Sequence, residues 1–282
     1  IPYCPRCGTS LSSHEVAQGY KDVKEQSIYV KFKVKGEDNT YVLAWTTTPW
    51  TLPSNVALTV NPVENYAKVS CNGETYIMAE ALLKEVLKDQ YTVLEINKGQ
   101  DLVGLEYEPL FDYAKPDKKA YYVVSDSYVQ LTEGTGVVHC APAFGEDDSR
   151  VGKIYDLPFV QLVNERGCFV DSVNDFAGAF VKDADPEIIK NLDARGLLFK
   201  ALEYEHSYPF CWRCDTSLIY YAQDTWFIKM TAIKDMLVEN NRKINWYPPS
   251  IGENRFVNFL ENVVDWGLSR TRYWGTPLPI WE

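Results

Sequence analysis

Trp45-Thr46-Thr47-Thr48-Pro49-Trp50-Thr51-Leu52-Pro53-Ser54-Asn55-Val56-Ala57 reads as the end of an apolar strand running into three successive threonines and two prolines. Pro49 and Pro53 fix the backbone path and remove two N–H donors, so the remaining hydroxyls and amides form a defined array at the strand's end. A threonine-rich sheet edge explains any one of these residues. It does not explain the block, because a purely structural turn needs far fewer donors. Working outward, alternating or apolar runs predict strands at 28–34, 41–46, 91–96, 121–124, 136–140 and 159–163, with a hairpin over 66–77 around Asn72-Gly73. Helices are fewer: 78–87, one opening near Gly145-Glu146, and 186–195, capped by Asp185 and ended by Gly196. The expected fold is a β-rich α/β domain, a closed or half-closed barrel over about residues 22–200. Beyond it the texture turns helical, at 231–241 and from a capping box at Ser250-Ile251-Gly252-Glu253 through 264.

A second polar segment is Gly134-Thr135-Gly136-Val137-Val138-His139-Cys140-Ala141-Pro142-Ala143-Phe144-Gly145-Glu146-Asp147-Asp148. A strand delivers His139 to a loop of small residues, and an acidic triplet opens the next helix. Acidic residues at a helix N-terminus are often only dipole partners, and a single histidine is more often a satisfied core residue than a catalyst. Together, a histidine and a carboxylate facing the threonine array suit a small cationic, hydroxyl-bearing ligand. Cys140 beside His139 suggests a Cys-His nucleophile as the rival. Adjacent strand residues point to opposite faces, which disfavours that pair.

Four of the seven cysteines repeat one spacing, Cys4-Pro5-Arg6-Cys7 and Cys211-Trp212-Arg213-Cys214, 207 residues apart. Each spacing places two thiolates on one tight turn, and two such knuckles complete a four-thiolate structural zinc site. A redox pair or incidental buried thiols are the other readings; a redox pair favours a strand-to-helix junction, which neither neighbourhood shows. With zinc bound, both ends of the chain are clamped and the interior becomes an insertion on a stapled stalk. Cys71, Cys140 and Cys168 read as plain buried thiols.

The chain has 282 residues, 46% hydrophobic and 14% aromatic, enough for a packed core and too apolar for disorder. A net charge of −11 argues against a protein that coats nucleic acid. No run approaches the ~20 apolar residues of a membrane span, and Ile1-Pro2-Tyr3-Cys4 carries neither a starting Met nor a signal pattern. The expectation is a cytoplasmic protein, and an excised piece of a longer one.

The two polar segments together resemble the editing domain inserted in the isoleucyl branch of the class I aminoacyl-tRNA synthetases. The leucyl and valyl branches carry Arg-Pro where this chain has Thr48-Pro49. Ser269-Arg270-Thr271-Arg272-Tyr273-Trp274-Gly275-Thr276-Pro277-Leu278-Pro279 resembles the stretch where that family's chain re-enters its catalytic domain. The HIGH and KMSKS signatures are absent, so ATP is expected only for a full-length synthetase.

The resemblance implies a first zinc knuckle and stalk at 1–21, an editing domain at 22–200, a second knuckle and stalk at 201–230, and a helical return at 231–282. It also implies roles. Thr46, Thr47 and Thr48 line the scissile ester and position a water, and Trp45 and Asn55 belong to the substrate wall. His139 sets the steric limit of the side-chain pocket, and Asp148 pairs with the substrate α-ammonium. Cys4, Cys7, Cys211 and Cys214 hold the zinc. The implied activity is removal of valine from mischarged tRNA(Ile), and possible attack on valyl-adenylate, with isoleucine excluded. The implied partners are the 3′ end of that tRNA and the remaining synthetase domains, with no membrane and a monomeric state. Where many members have Gly-His-Gly after the Ala-Pro, this chain has Ala143-Phe144-Gly145. A non-catalytic tRNA-docking module and a zinc hydrolase are the alternatives; four thiolates leave no open position for the latter.

Overall fold

A computed structural model describes residues 1–271, 277 and 279–281. The re-entry stretch is therefore described only in part: Arg272 to Thr276 and Leu278 lie outside the described residues. At the start, β1 (Pro2–Cys4) and β2 (Thr9–Ser10) fold back on each other around the first cysteine pair. Next comes α1 (Ser13–Ala17), where Ser12 and Glu15 form a reciprocal capping box. The long strand β3 (Tyr20–Lys33) leads to β4 (Thr40–Thr46), a 3-10 turn at Pro49–Ser54, and β5 (Ala57–Val60). A hairpin of β6 (Asn65–Cys71) and β7 (Glu74–Ala79) precedes α2 (Leu83–Leu87) and β8 (Thr92–Lys98). Its turn residues Asn72 and Gly73 have φ of 51° and 84°, the paired left-handed geometry a two-residue hairpin turn requires.

Then follow β9 (Tyr122–Ser125), β10 (Val137–Cys140), α3 (Glu146–Ile154), α4 (Val181–Ala194) and β11 (Leu198–Pro209). The last elements are β12 (Ile219–Tyr220), β13 (Phe227–Ile228), α5 (Lys234–Asn241), α6 (Val257–Glu261) and β14 (Trp266–Gly267). A six-stranded sheet has the order β11-β3-β4-β7-β6-β8, with β4 and β7 parallel and the other pairs antiparallel. A three-stranded sheet, β10-β5-β9, packs through β10 against β4. One contiguous core, including Phe32, Leu58, Tyr66, Ile188 and Leu192, fills the space between them. Fully burying each such side chain stabilises by about 1.5–3 kcal/mol.

The strands β3 and β11 pair from Val30 with Leu198 down to Tyr20 with Pro209, a ribbon that leaves the body and ends at the cysteines. Both run unbroken past residues 22 and 200, so body and stalk share two strands. At the ribbon's foot Gly19 is required by close approach, since a Cβ there would lie 1.9 Å from the Phe210 carbonyl oxygen.

Of the closed or half-closed barrel expected, the closed form is not made. Among the described residues the two sheets keep free edges, and only the single bridges Val34 to Tyr107 and Glu106 to Tyr122 stitch one corner. Closure needs a continuous staggered ladder, which two isolated bridges do not supply. Four further expectations change. Residues 159–163 form no strand beyond a bridge at Val163. Met78 and Ala79 belong to β7, and the helix that follows is the short α2. The Ser250 box does not form, because Ser250 is itself helical with no side-chain cap, and a π-turn at Ile251–Phe256 leads into α6. Asp185 is not a cap of its own helix, since α4 starts at Val181. The spacing of Val181, Ala184, Ile188 and Leu192 buries one continuous face and outweighs the helix bond forfeited at Pro186. Gly196 does end α4, with φ 68° and its N–H on the Asp193 carbonyl.

Candidate functional site: a threonine–histidine chain and a four-cysteine base

The threonine block leaves β4 and turns at once into the 3-10 helix, with Thr48 at its N-cap and Pro49 at its first position. Thr46 Oγ1 accepts the Thr48 N–H at 3.0 Å and lies 3.2 Å from Thr48 Oγ1. Thr48 Oγ1 lies 3.4 Å from Thr51 Oγ1, which in turn lies 2.9 Å from His139 Nε2. These contacts make one chain of hydroxyls from β4 to β10. Thr51 donates its own proton to the Thr48 carbonyl at 2.8 Å. With that proton so placed, the hydroxyl accepts from His139 in the tautomer protonated at Nε2, which leaves Nδ1 as a bare acceptor. Nδ1 is buried without a partner, and burial pushes the imidazole down to about 4, so His139 is neutral near pH 7.

Asp148 is the third residue of α3 and turns inward while Glu146 and Asp147 stay exposed. Its Oδ2 accepts the Ala141 N–H at 2.9 Å and its Oδ1 lies 3.4 Å from the Tyr128 hydroxyl. The carboxylate folds back over Gly145, where a Cβ would sit 2.8 Å from it. Burial raises its pKa to about 6 against the lowering effect of the Ala141 and Tyr128 hydrogen bonds. Asp147 instead joins Arg150, which clamps Asp126 at 2.7 and 2.9 Å.

The structure thus joins Thr46, Thr48 and His139 through Thr51, and anchors Asp148 two residues beyond His139 on the same backbone. Thr47 is half-buried between its neighbours, outside the hydroxyl chain. Asn55 is a buried brace: Nδ2 donates to the Ala57 carbonyl at 2.8 Å and Oδ1 accepts the Tyr107 hydroxyl at 2.7 Å. Trp45, on the opposite face of β4 from Thr46, packs edge-on against Tyr204 and beneath Gly134. Cys140 is fully buried with Sγ 3.8 Å from the Asp148 carbonyl oxygen, directed away from the His139 ring. Phe144 is buried edge-on against Trp50, ring centroids 5.1 Å apart. Sequence reasoning missed Thr51 and Tyr128. The three-residue spacing of Thr48 and Thr51 was the available signal for the first, since one helical turn brings them to one face; nothing local marks Tyr128.

At the other end of the ribbon the two knuckles meet. Sγ separations are 3.4 Å for Cys4–Cys214, 3.4 Å for Cys7–Cys214 and 4.0 Å for Cys7–Cys211, with all four within 4.8 Å of one another. No disulfide joins them. Four sulfurs at the ~2.3 Å zinc–thiolate distance of a tetrahedron lie about 3.8 Å apart, so the donor set and spacing fit such an ion. The knuckles are near copies: Gly8 and Asp215, each four residues after its first cysteine, have φ of 64° and 61° and donate to the Cys4 and Cys211 carbonyls at 2.8 Å.

Comparison with known proteins agrees in both sequence and shape. The family model for tRNA synthetases class I (I, L, M and V) matches residues 1–282. The chain is 62% identical over 281 residues to an isoleucine–tRNA ligase of Clostridium novyi and 61% identical over 282 residues to that of Clostridium acetobutylicum. All of this chain is covered in both comparisons, and it spans 27% of each relative's length. Among solved structures, GlLeuRS-CP1 is similar with a TM-score of 0.51 at 16% identity, covering 63% of this chain and 99% of that one. The P. knowlesi cytosolic leucyl-tRNA synthetase editing domain gives 0.50 at 14% identity, covering 64% and 98%. With the fold of a synthetase editing domain and a family match that runs through every residue, the chain belongs to the class I tRNA synthetases (I, L, M and V).

Proposed function

We propose that this chain is the proofreading domain of an isoleucine–tRNA ligase, hydrolysing the ester of valyl-tRNA(Ile) and sparing the isoleucyl ester. The need for a second site is energetic. One methylene in an apolar pocket is worth about 1–3 kcal/mol, a limit for which isoleucine against valine is the usual illustration. The observation that carries the reading is the hydroxyl chain Thr46–Thr48–Thr51–His139 beside an inward-turned Asp148.

In this reading the Asp148 carboxylate holds the α-ammonium of the aminoacyl group, a charge-assisted contact strengthened by burial. Neutral His139 forms the edge of the side-chain pocket, with its orientation set by Thr51. Thr46, Thr47 and Thr48 orient a water and the terminal ribose. The water oxygen attacks the ester carbonyl, the bond from that carbon to the ribose oxygen breaks, and a water proton ends on the released ribose hydroxyl. Most of the acceleration comes from orientation, with the neighbouring free hydroxyl of the terminal adenosine assisting. Asn55 and Trp45 support the wall through Tyr107, Tyr204 and Gly134. Zinc on Cys4, Cys7, Cys211 and Cys214 staples the base and takes no part in the hydrolysis.

A tRNA-docking module is the second reading. A hollow of about 610 Å³ beside the first knuckle, lined in part by Arg6, Arg166 and Thr216, favours it. Incubating the chain with valyl- and isoleucyl-tRNA(Ile), with and without a chelator, separates these readings. Proofreading gives selective loss of the valyl ester in both conditions. Docking gives binding without loss, and a zinc hydrolase gives loss that stops when the metal is removed.

A further inference from the structure

A carboxylate held through one oxygen can swing, because the terminal torsion of an aspartate has a broad energy profile. Asp148 is held through both. Its Oδ2 accepts the Ala141 N–H at 2.9 Å and its Oδ1 accepts the Tyr128 hydroxyl at 3.4 Å. The first donor is backbone, directly after β10. The second is a side chain from the turn that follows β9, so its value depends on how firmly that turn is tied to α3.

The turn is tied at several points. Asp126 N–H reaches the Val60 carbonyl at 2.9 Å, Asp126 Oδ1 accepts the Tyr128 N–H at 3.0 Å, and Asn61 Nδ2 donates to the Val129 carbonyl at 2.9 Å. An aspartate that accepts from the amide two residues on closes a turn by itself. Arg150, two residues past Asp148 on α3, grips both oxygens of the same Asp126 at 2.7 and 2.9 Å and lies 6.0 Å over the Tyr128 ring. A bidentate fork of this kind fixes orientation as well as distance. The contacts therefore close a ring from Asp148 to Tyr128, on to Asp126, across to Arg150, and back along α3 to Asp148.

We infer that Tyr128 is a positioning residue of the threonine–histidine site: its hydroxyl fixes the plane of the Asp148 carboxylate, and the Arg150–Asp126 clamp holds the tyrosine in place from the same helix. The protonation states suit that task. Arg150 holds Asp126 below its ordinary range, so the clamp stays charged while Asp148 titrates. Burial and the Asp148 charge push the Tyr128 phenol up, and it remains a donor. Of the other groups facing Asp148, Asp147 raises its pKa and the Ala141 N–H lowers it, while Cys140, a thiol kept neutral by burial, meets only its backbone carbonyl. The Tyr128 bond favours the ionised carboxylate, so deleting the hydroxyl must move the titration of Asp148 to higher pH.

The kinetic consequence rests on the proofreading reading, whereas the titration of the carboxyl does not, so both are measured. The carboxyl 13C signal of Asp148 is assigned by its loss in Asp148→Asn. Tyr128→Phe keeps the ring and is expected to move the midpoint of that signal from about 6 to ~7. KM for valyl-tRNA(Ile) at pH 7 should rise roughly threefold with kcat within about twofold, because the ammonium contact is made before and during reaction alike. Tyr155→Phe is the control: it removes a hydroxyl that bonds Ser125 at the same junction of β9 and α3, and it should leave the Asp148 midpoint where it is. A folded Tyr128→Phe protein with an unchanged midpoint overturns the inference, and so does a Tyr155→Phe protein that shifts it equally. If Tyr128→Phe fails to fold, the unmutated chain decides: the Tyr128 Cζ signal should follow the Asp148 titration and lose that step in Asp148→Asn, and a flat signal overturns the inference. If the unmutated chain hydrolyses no ester, the proofreading reading fails while both titrations still test the hold on Asp148.

Discussion

The cysteine base and the threonine–histidine site both gather residues far apart in the chain, and they do so with different forces. The base has little to pack: its buried cluster is Cys4, Leu11, Val16, Cys211 and Leu218. Its order depends on the ends of a long ribbon and on four sulfurs that suit one ion. The site is set in a continuous core that holds β4 against β10, and its polar groups are positioned by hydrogen bonds to one another. Loss of the ion should therefore undo one region and leave the other standing.

Chelation tests that difference first and gives the largest effect. Structural zinc in small thiolate sites contributes apparent folding energies of about 10–16 kcal/mol, so its removal should disorder the base. Hydrogen exchange should then rise at residues 1–18 and 210–218 and stay low in β4, β5 and β10, with hydrolysis of the valyl ester retained. Equal loss of protection in both regions would show them to be one cooperative unit. Next in size, Asp148→Ala removes the proposed ammonium partner from its half-buried position. It should slow valyl-tRNA(Ile) hydrolysis by about 100-fold, the scale of truncating a desolvated charged pair. Undiminished hydrolysis would refute the assignment, and retained zinc content would confirm that the base is untouched.

Thr51→Val keeps the shape of the side chain and leaves the His139 Nε2–H without an acceptor. That buried donor costs about 1–3 kcal/mol, and the pocket edge should loosen, raising hydrolysis of the isoleucyl relative to the valyl ester severalfold. An unchanged ratio would place the steric limit elsewhere.

The smallest effect is with pH. His139, depressed by burial to about 4, contributes stability that is present above its ordinary value near 6.5 and is lost as pH falls through about 4. Asp148 runs the other way: raised to about 6, its protonated form favours the fold at low pH, and that contribution fades as pH rises through 6. The proposed ammonium contact needs the ionised form. KM for the valyl ester should therefore rise a few-fold between pH 7 and pH 5.5, with no break attributable to a histidine near 6.5.

Much of the site was legible because its chemistry is written in short contiguous runs. The threonine block, His139 and Asp148 all stand in two segments, and the doubled cysteine spacing needs no tertiary information to suggest a common ion. The parts that escaped are those whose partners come from distant elements. Thr51 acquires meaning only when β10 brings His139 to it, and Tyr128 only when α3 turns Asp148 inward. Asp185 looked like a local cap because Pro186 follows it; the apolar spacing from Val181 carried the helix further back and placed Asp185 inside it. The barrel was expected from the number of strands, yet strand number does not decide closure. The hairpin at Asn72-Gly73 is the contrasting case, fixed by two residues that tolerate positive φ.

By itself the sequence determined several of the strands, which turn is a hairpin, and which side chains carry thiolate, hydroxyl, imidazole and carboxylate chemistry, because these follow from spacing and from intrinsic backbone preference. The tertiary structure alone decided that the sheets stay open, that His139 Nε2 meets the Thr51 hydroxyl, and that Asp148 turns inward while Glu146 and Asp147 stay exposed. Each of those depends on which surfaces pack together and on what burial then does to a polar group, and neither is a local property of the chain.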